Sequence, residues 1–307
     1  MARKPSLDVP GLGILLAVTL LFAVNQIVVK IVNVGLQPVF FAGLRSALAI
    51  LFVGGWMWFR GHRPRLRLHV AGAGMLMGAA FAGEFMFLFL AIDLTTVGKA
   101  AIIFYSMPVW FALMAHVGLP DERITPVKAL GLLLAFAGTA VAILTGLGGG
   151  AGSVAGDLCA LAAAIGWALT AFLARRAPMR DEGPEMQLFW MVLVSAPILL
   201  VAAPLFGPLI RDLQPVHILW LVVQASVVVT GGFITWLWLF SVYPVSTVAS
   251  FSFLTPVFSL VLGAVLFGES ITLPLLLGAG LVGIGIMLVN RPARESARAK
   301  DAALPKA

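Results

Sequence analysis

Lys30, Arg45, Glu84 and Lys99 are charged side chains placed within stretches that are otherwise apolar. A charge at membrane depth is expensive and is retained where it pairs, faces water or handles a substrate. Glu84 and Arg45 each lie about seven residues from the same side of their stretches, a depth of ~10 Å by helical rise. Two chemistries suit them: an ion pair locking two helices together, or a proton-coupling or substrate-binding role. Lys99 lies about three residues inside its stretch and Lys30 about two from an end, so each either snorkels outward or guides a substrate carboxylate.

Around these charges, helical spacing arranges polar and aromatic groups into faces. Gln224, Gly231, Thr235 and Trp238 fall at i, i+7, i+11 and i+14, one continuous stripe suited to a cavity wall. Lys99, Ser106 and Trp110 share a face with Tyr105 adjacent; Ala163, Trp167 and Thr170 form another, and Ser252, Thr255 and Ser259 a third. For each hydroxyl the alternative is a bond to a carbonyl one turn back or helix–helix contact. Trp56, Trp58, Trp190, Trp220, Trp236 and Trp238 fall near expected membrane interfaces, where an aromatic belt accounts for them. Tyr105, Trp110 and Trp167 lie deeper and are candidate ring contacts for a substrate, with packing as the alternative. Asn25, Ser106, Thr170 and Thr235 are the candidate polar contacts. Pro108 and Pro256 sit inside apolar stretches, where each removes a backbone donor and bends its helix, as a hinge or as a fixed kink.

These residues need elements to hold them, and composition says of what kind. Of 307 residues, 61% are hydrophobic and 11% charged, against about half and about a quarter in soluble domains. Apolar runs long enough to cross ~30 Å of hydrocarbon as helices occur at 11–32, 38–59, 69–91, 96–117, 126–145, 154–174, 185–206, 217–240, 246–267 and 274–290. Continuous runs of this length exclude the alternating strands of a membrane barrel. The first run follows Arg3 and Lys4 but carries Asn25 and Lys30 and lacks an obvious cleavage site, so a retained helix is expected rather than a signal peptide.

Charge then sets orientation. Of the twenty lysines and arginines, Lys30, Arg45 and Lys99 lie within runs and Arg211 alone falls on the outer side; all others, Lys128 at the start of its run included, share the side of the amino terminus. The positive-inside bias therefore places both termini in the cytoplasm of a multi-pass cell-membrane protein. Basic residues scattered over short loops also exclude a nucleic-acid-binding domain; the partners expected are a small-molecule substrate and the lipid bilayer. The lone Cys159 rules out an internal disulfide framework. His62, His69, His116 and His217 do not cluster, and neither a phosphate-binding loop nor a His-Glu-x-x-His motif is present. No cofactor or metal is expected, and an intramembrane enzyme stands as the alternative class.

The two halves repeat. Glu122, Thr125, Gly131 and Gly138 recur as Glu269, Thr272, Gly278 and Gly285, each 147 positions on, and Pro108 recurs as Pro256. Gly11 and Phe22 likewise match Gly156 and Trp167. Five helices per copy is an odd number, so the copies run in opposite directions across the bilayer, the inverted-repeat plan of secondary transporters. The expected divisions are a first repeat at 1–145, a Gly-rich external linker at 146–153, a second, inverted repeat at 154–290 and a basic cytoplasmic tail at 291–307. The glycines are read as packing positions, and Asp121, Glu122 and Glu269 as helix-end charges.

Taken together, the Asn25…Lys30 pair, Arg45 after Pro38, the mid-helix prolines and the two Glu-x-Ile-Thr…Gly…Gly endings resemble the drug/metabolite transporter superfamily of EamA type, over nearly the whole chain. Within it, the overall look is most similar to bacterial aromatic-amino-acid exporters. The resemblance implies an all-α integral membrane protein of ten helices, alternating access, export of small metabolites, and a central cavity lined by helices 1, 3, 4, 6, 8 and 9. One departure is that Thr170 and Arg175 stand where the first half has Asn25 and Lys30.

Overall fold

The computed structural model describes residues 8–62, 64–119, 124–147, 152–243, 248 and 251–290. The chain is all-helical among these residues. In order they form α1 (Val9–Gly35), α2 (Pro38–Phe59), α3 (Leu68–Leu94), α4 (Val97–Phe104), α5 (Met107–Gly118), α6 (Pro126–Leu147), α7 (Val154–Ala174) and α8 (Pro184–Ala202). There follow α9 (Pro215–Val223), a π-helical segment (Gln224–Gly232), α10 (Phe233–Val242), α11 (Leu254–Phe267) and α12 (Leu273–Val289). Among the described residues eight spans are long and apolar enough to cross a membrane, with Leu254–Phe267 and Leu273–Val289 as shorter apolar helices. The core of the linker, the 120–123 loop with Asp121 and Glu122, and the basic tail lie outside the described residues.

Local chemistry sets the starts. Pro occupies the first turn of α1, α2, α8 and α9, where its missing N–H would be unsatisfied anyway. Asp8 accepts from Gly11 N and Gln37 from Phe40 N, closing orphan donors at α1 and α2.

Two expected spans depart from simple helix. The fourth, expected at 96–117, breaks at Tyr105 and Ser106 into α4 and α5, with Pro108 in the first turn of α5. The ninth has a matching turn at Ser252 and Phe253, just ahead of Pro256 in α11. The two turns fall 147 positions apart, two or three residues before Pro108 and three or four before Pro256, where the ring disfavours the helical hydrogen bonds of the preceding turn. The eighth span, expected as regular helix over 217–240, contains the π segment.

The inverted repeat is visible in packing. A Cβ on Gly131 would meet Gly285 O at 2.7 Å, and one on Gly278 would meet Gly138 O at 2.9 Å. Adding 147 to the first partner and subtracting it from the second converts one contact into the other. The fifth and tenth spans therefore touch backbone to backbone in antiparallel fashion about a pseudo-twofold axis, which only glycine allows at this separation.

Six arginines, Arg60, Arg65, Arg67, Arg175, Arg176 and Arg180, mark one end of the bundle, the basic end. The far end carries the α1–α2, α3–α4 and α8–α9 connections.

Candidate functional site

The interior holds a cavity of about 250 Å³ lined by both repeats. Its ring wall comprises Phe22, Phe81, Phe85, Phe104, Tyr105, Trp167, Phe233 and Trp236; its polar groups include Asn25, Gln26, Arg45, Glu84, Thr170, Gln187, Ser252 and Thr255. Apolar and aromatic walls with a few placed polar groups are the usual composition of a small-molecule site.

Trp167 on α7 anchors the ring wall. It stacks on Phe104 with centroids 4.8 Å apart and planes 17° from parallel, and meets Tyr105 edge-on at 5.6 Å. The helix break makes this arrangement possible, because it turns Tyr105 inward where α4 ends. Ser252, at the equivalent turn in the second repeat, lines the same cavity.

Arg45 and Glu84, only 1% and 3% exposed, reach the cavity from α2 and α3. The Arg45 guanidinium carbon lies 3.8 Å from the centre of the Phe85 ring and 5.0 Å from that of Phe89. Glu84 feels the charge of Arg45, yet the two make no ion pair within 4.0 Å, so the direct lock expected of them is not formed. Among the described residues Arg45 Nε and Glu84 Oε2 have no hydrogen-bond partner, and neither do Asn25 Oδ1 and Gln26 Oε1. Gly166 of α7 admits this crowding: a Cβ there would come within 3.0 Å of Glu84 Cα.

Of the residues singled out by sequence, Asn25, Arg45, Glu84, Tyr105, Trp167, Thr170 and Ser252 converge on the cavity. Ser106, Trp110, Thr235, Trp238 and Lys99 do not line it. Ser106 Oγ accepts from Trp110 Nε1 at 3.2 Å, and Trp110 packs edge-on against Phe136 of α6, so this face turns toward the fifth span. Thr235 donates to Gly231 O, and Trp238 is 36% exposed. The cause is the π segment: its i→i+5 bonding widens each turn, so a 3.6-residue count begun at Gln224 loses phase. Val228, Phe233 and Trp236 occupy the wall instead. Gln224 is buried, with Nε2 bonded to Asn25 O at 3.3 Å. Among the tryptophans assigned to interfaces, Trp190 is buried at 5% exposure and packs over Gly74, and Trp236 faces the cavity.

The lysines also have different work from that expected. Lys99 neither snorkels nor faces the cavity; its Nζ is 2.6 Å from Asp157 Oδ2, with Thr95 Oγ1 donating to Asp157 Oδ1 at 2.8 Å. Lys30 Nζ donates to Ile92 O and Thr95 O at 2.6 and 2.9 Å, closing the end of α3. Glu269 accepts from Val97 N and Gly98 N at 2.7 and 3.1 Å, capping α4 as its helix-end reading anticipated. These bonds tie α1, α3, α4, α7 and the α11–α12 loop into one polar knot at the far end. Nearby, Arg211 bonds Asp93 at 2.9 Å and Asn33 O at 2.9 Å. Asp157 was not legible as a partner, because it lies in the first turn of its span and reads as a helix-end charge.

The cavity is asymmetric along the bundle. It reaches Ala174, Pro184 and Gln187 at the basic end, whereas none of the knot residues lines it. The position equivalent to Asp157 in the first repeat, 145 residues earlier, is Leu12, so the repeat does not reproduce the buried ion pair. At the basic end a second crevice, sharing Pro184 with the cavity, holds Glu185 with His62 Nδ1 and Trp56 Nε1 each 3.2 Å away.

Comparison with known proteins agrees with this architecture. A model of the EamA-like transporter family matches residues 9–144 and again residues 154–291. A "Probable amino-acid metabolite efflux pump" of Salmonella typhimurium is 28% identical over 300 residues, covering 92% of this chain and 97% of that protein. A protein of the same name from Escherichia coli is 28% identical over 286 residues, covering 89% and 92%. The "Uncharacterized transporter YvbV" of Bacillus subtilis is 29% identical over 262 residues, covering 82% of each chain. A solved crystal structure aligns with a TM-score of 0.65 at 22% identity over 90% of this chain and 95% of that chain, a likeness of fold.

Proposed function

The chain belongs to the EamA-like transporter family of the drug/metabolite transporter superfamily, and from that premise we propose that it exports amino acids with aromatic or other apolar side chains across a bacterial cell membrane by alternating access. The observation that supports this reading is the cavity: lined by both inverted repeats, it reaches Ala174, Pro184 and Gln187 at the basic end and includes none of the polar-knot residues of the other. Two inverted copies around one midplane site are the arrangement in which rocking of one part against another exposes the site to each side in turn. The positive-inside bias puts the basic end and both termini in the cytoplasm. The described conformation then faces inward, the state in which an exporter loads.

The ring wall suits the side chain of such a substrate, and the polar set of Asn25, Arg45, Glu84, Thr170 and Ser252 suits its backbone groups. The breaks ahead of Pro108 and Pro256 place flexible points beside the cavity in both repeats, where small changes in helix direction would reshape it. The amino-acid names carried by two relatives support the substrate class.

The test is reconstitution into liposomes with a panel of labelled amino acids and other metabolites, with and without a proton gradient. Saturable flux of phenylalanine, tyrosine or tryptophan, competed by the others, is the expected result. A protein that is folded and inserted but moves none of the panel would overturn the reading.

A further inference from the structure

Arg45 and Glu84 present an electrostatic problem that the chain does not solve by itself. Each is almost wholly buried, both face one cavity, and they stand too far apart for a direct ion pair. Arg45 rests on the face of Phe85 with Nε lacking an acceptor, while Glu84 Oε2 lacks a donor. The far-end charges make a contrast, since Lys99 and Asp157 satisfy each other at 2.6 Å.

A ligand with one charge answers half of this. A carboxylate is drawn to Arg45 and repelled by Glu84; an amine is drawn to Glu84 and repelled by Arg45. A molecule carrying both charges a short distance apart, inserted between them, supplies each with its missing partner. It replaces two incompletely paired charges with two charge-assisted hydrogen-bonded pairs. We propose that Arg45 and Glu84 form a zwitterion clamp, Arg45 holding the α-carboxylate and Glu84 the α-ammonium of the substrate, with the side chain against the ring wall at Trp167. This deepens, and rests on, the reading of the cavity as an amino-acid site. It makes the pair the determinant of α-amino-acid specificity against amines, acids and N-acylated or esterified derivatives. Asn25 and Gln26 of α1 line the same cavity, and their buried side-chain oxygens, Oδ1 and Oε1, have no donor among the described residues.

The experiment measures equilibrium binding of L-phenylalanine, phenethylamine and 3-phenylpropionate to the purified full chain and to its R45Q and E84Q variants. The three ligands share a ring and two-carbon spacer and differ only in charged ends. The unaltered protein is expected to bind phenylalanine at least about tenfold tighter than either analogue, a ratio typical of one charge-assisted hydrogen bond. In R45Q phenylalanine binding falls to the level of phenethylamine, whose own binding does not weaken. In E84Q it falls to the level of 3-phenylpropionate, which does not weaken. Because each comparison is a ratio within one protein sample, loss of folded material leaves it unchanged. Equal weakening of all three ligands in both variants, or no preference for phenylalanine in the unaltered protein, overturns the clamp while leaving an amino-acid cavity. Binding of none of the three by the unaltered, folded protein overturns the amino-acid reading itself.

Discussion

Replacing Asp157 with asparagine is expected to destabilise the folded protein by about 3–5 kcal/mol, the cost of leaving one member of a buried pair uncompensated. Asp157 is fully buried and Lys99 is 4% exposed, so neither reaches water to recover hydration. Asparagine preserves the shape and can still accept from Thr95, which isolates the charge. Removing both charges in Asp157→Asn with Lys99→Met is expected to recover most of the loss, because the second change eliminates the stranded ammonium. Thermal unfolding in detergent, read as a double-mutant cycle, checks this. Losses that simply add would show the two residues to be independent. The outcome bears on the proposed alternating access, which would require this tie between α4 and α7 to be made and broken.

The second large effect is expected at Trp167. Its ring spans the cavity wall between Phe104 and Tyr105, so truncation to alanine removes a ring face and leaves its neighbours without support. Losses of this kind at the centre of a binding site reach 2 kcal/mol or more, so the apparent affinity for an aromatic substrate is expected to fall at least about tenfold. Trp167→Phe keeps a flat ring and is expected to retain most of the affinity. Trp238→Ala serves as the comparison: this ring lies off the cavity, and its loss is expected to leave half-saturation within about twofold. Half-saturation of flux in proteoliposomes for the three variants checks the prediction, and equal effects at Trp167 and Trp238 would refute it.

These two sites illustrate what could be read before the fold was known. The spans and their inverted duplication were legible because lipid tolerates little else. Long apolar runs must be helices, and glycines repeated 147 positions apart fix how the fifth and tenth spans meet. Trp167, Tyr105, Arg45 and Glu84 were legible as exceptions to that demand, a charge or a mid-membrane ring where leucine would serve. Partnership was not. Lys99 and Asp157 are 58 residues apart in sequence, and the placement of Asp157 in a first helical turn disguised it as an ordinary helix-end charge.

Faces were legible only where helices are regular. Thr235 and Trp238 lie off the cavity because the π segment changes the turn between Gln224 and Gly232. Ser106 and Trp110 lie off the cavity, where the break between α4 and α5 interrupts the face counted from Lys99. Both irregularities border the cavity. Phe22, Phe81, Phe85 and Phe233 were missed for a different reason: among 21 phenylalanines, nothing but position distinguishes a ring that faces the cavity from one that faces lipid or core.

The central claim is that one cavity serves both sides of the membrane in turn. Counterflow tests it most directly: vesicles loaded with unlabelled phenylalanine are diluted into trace labelled phenylalanine, with no ion gradient. A site exposed alternately to each side predicts a transient accumulation of label above its equilibrium level, lost in Trp167→Ala at the same substrate concentration. A monotonic approach to equilibrium without overshoot, at rates that do not saturate, would describe an open pore and contradict the account.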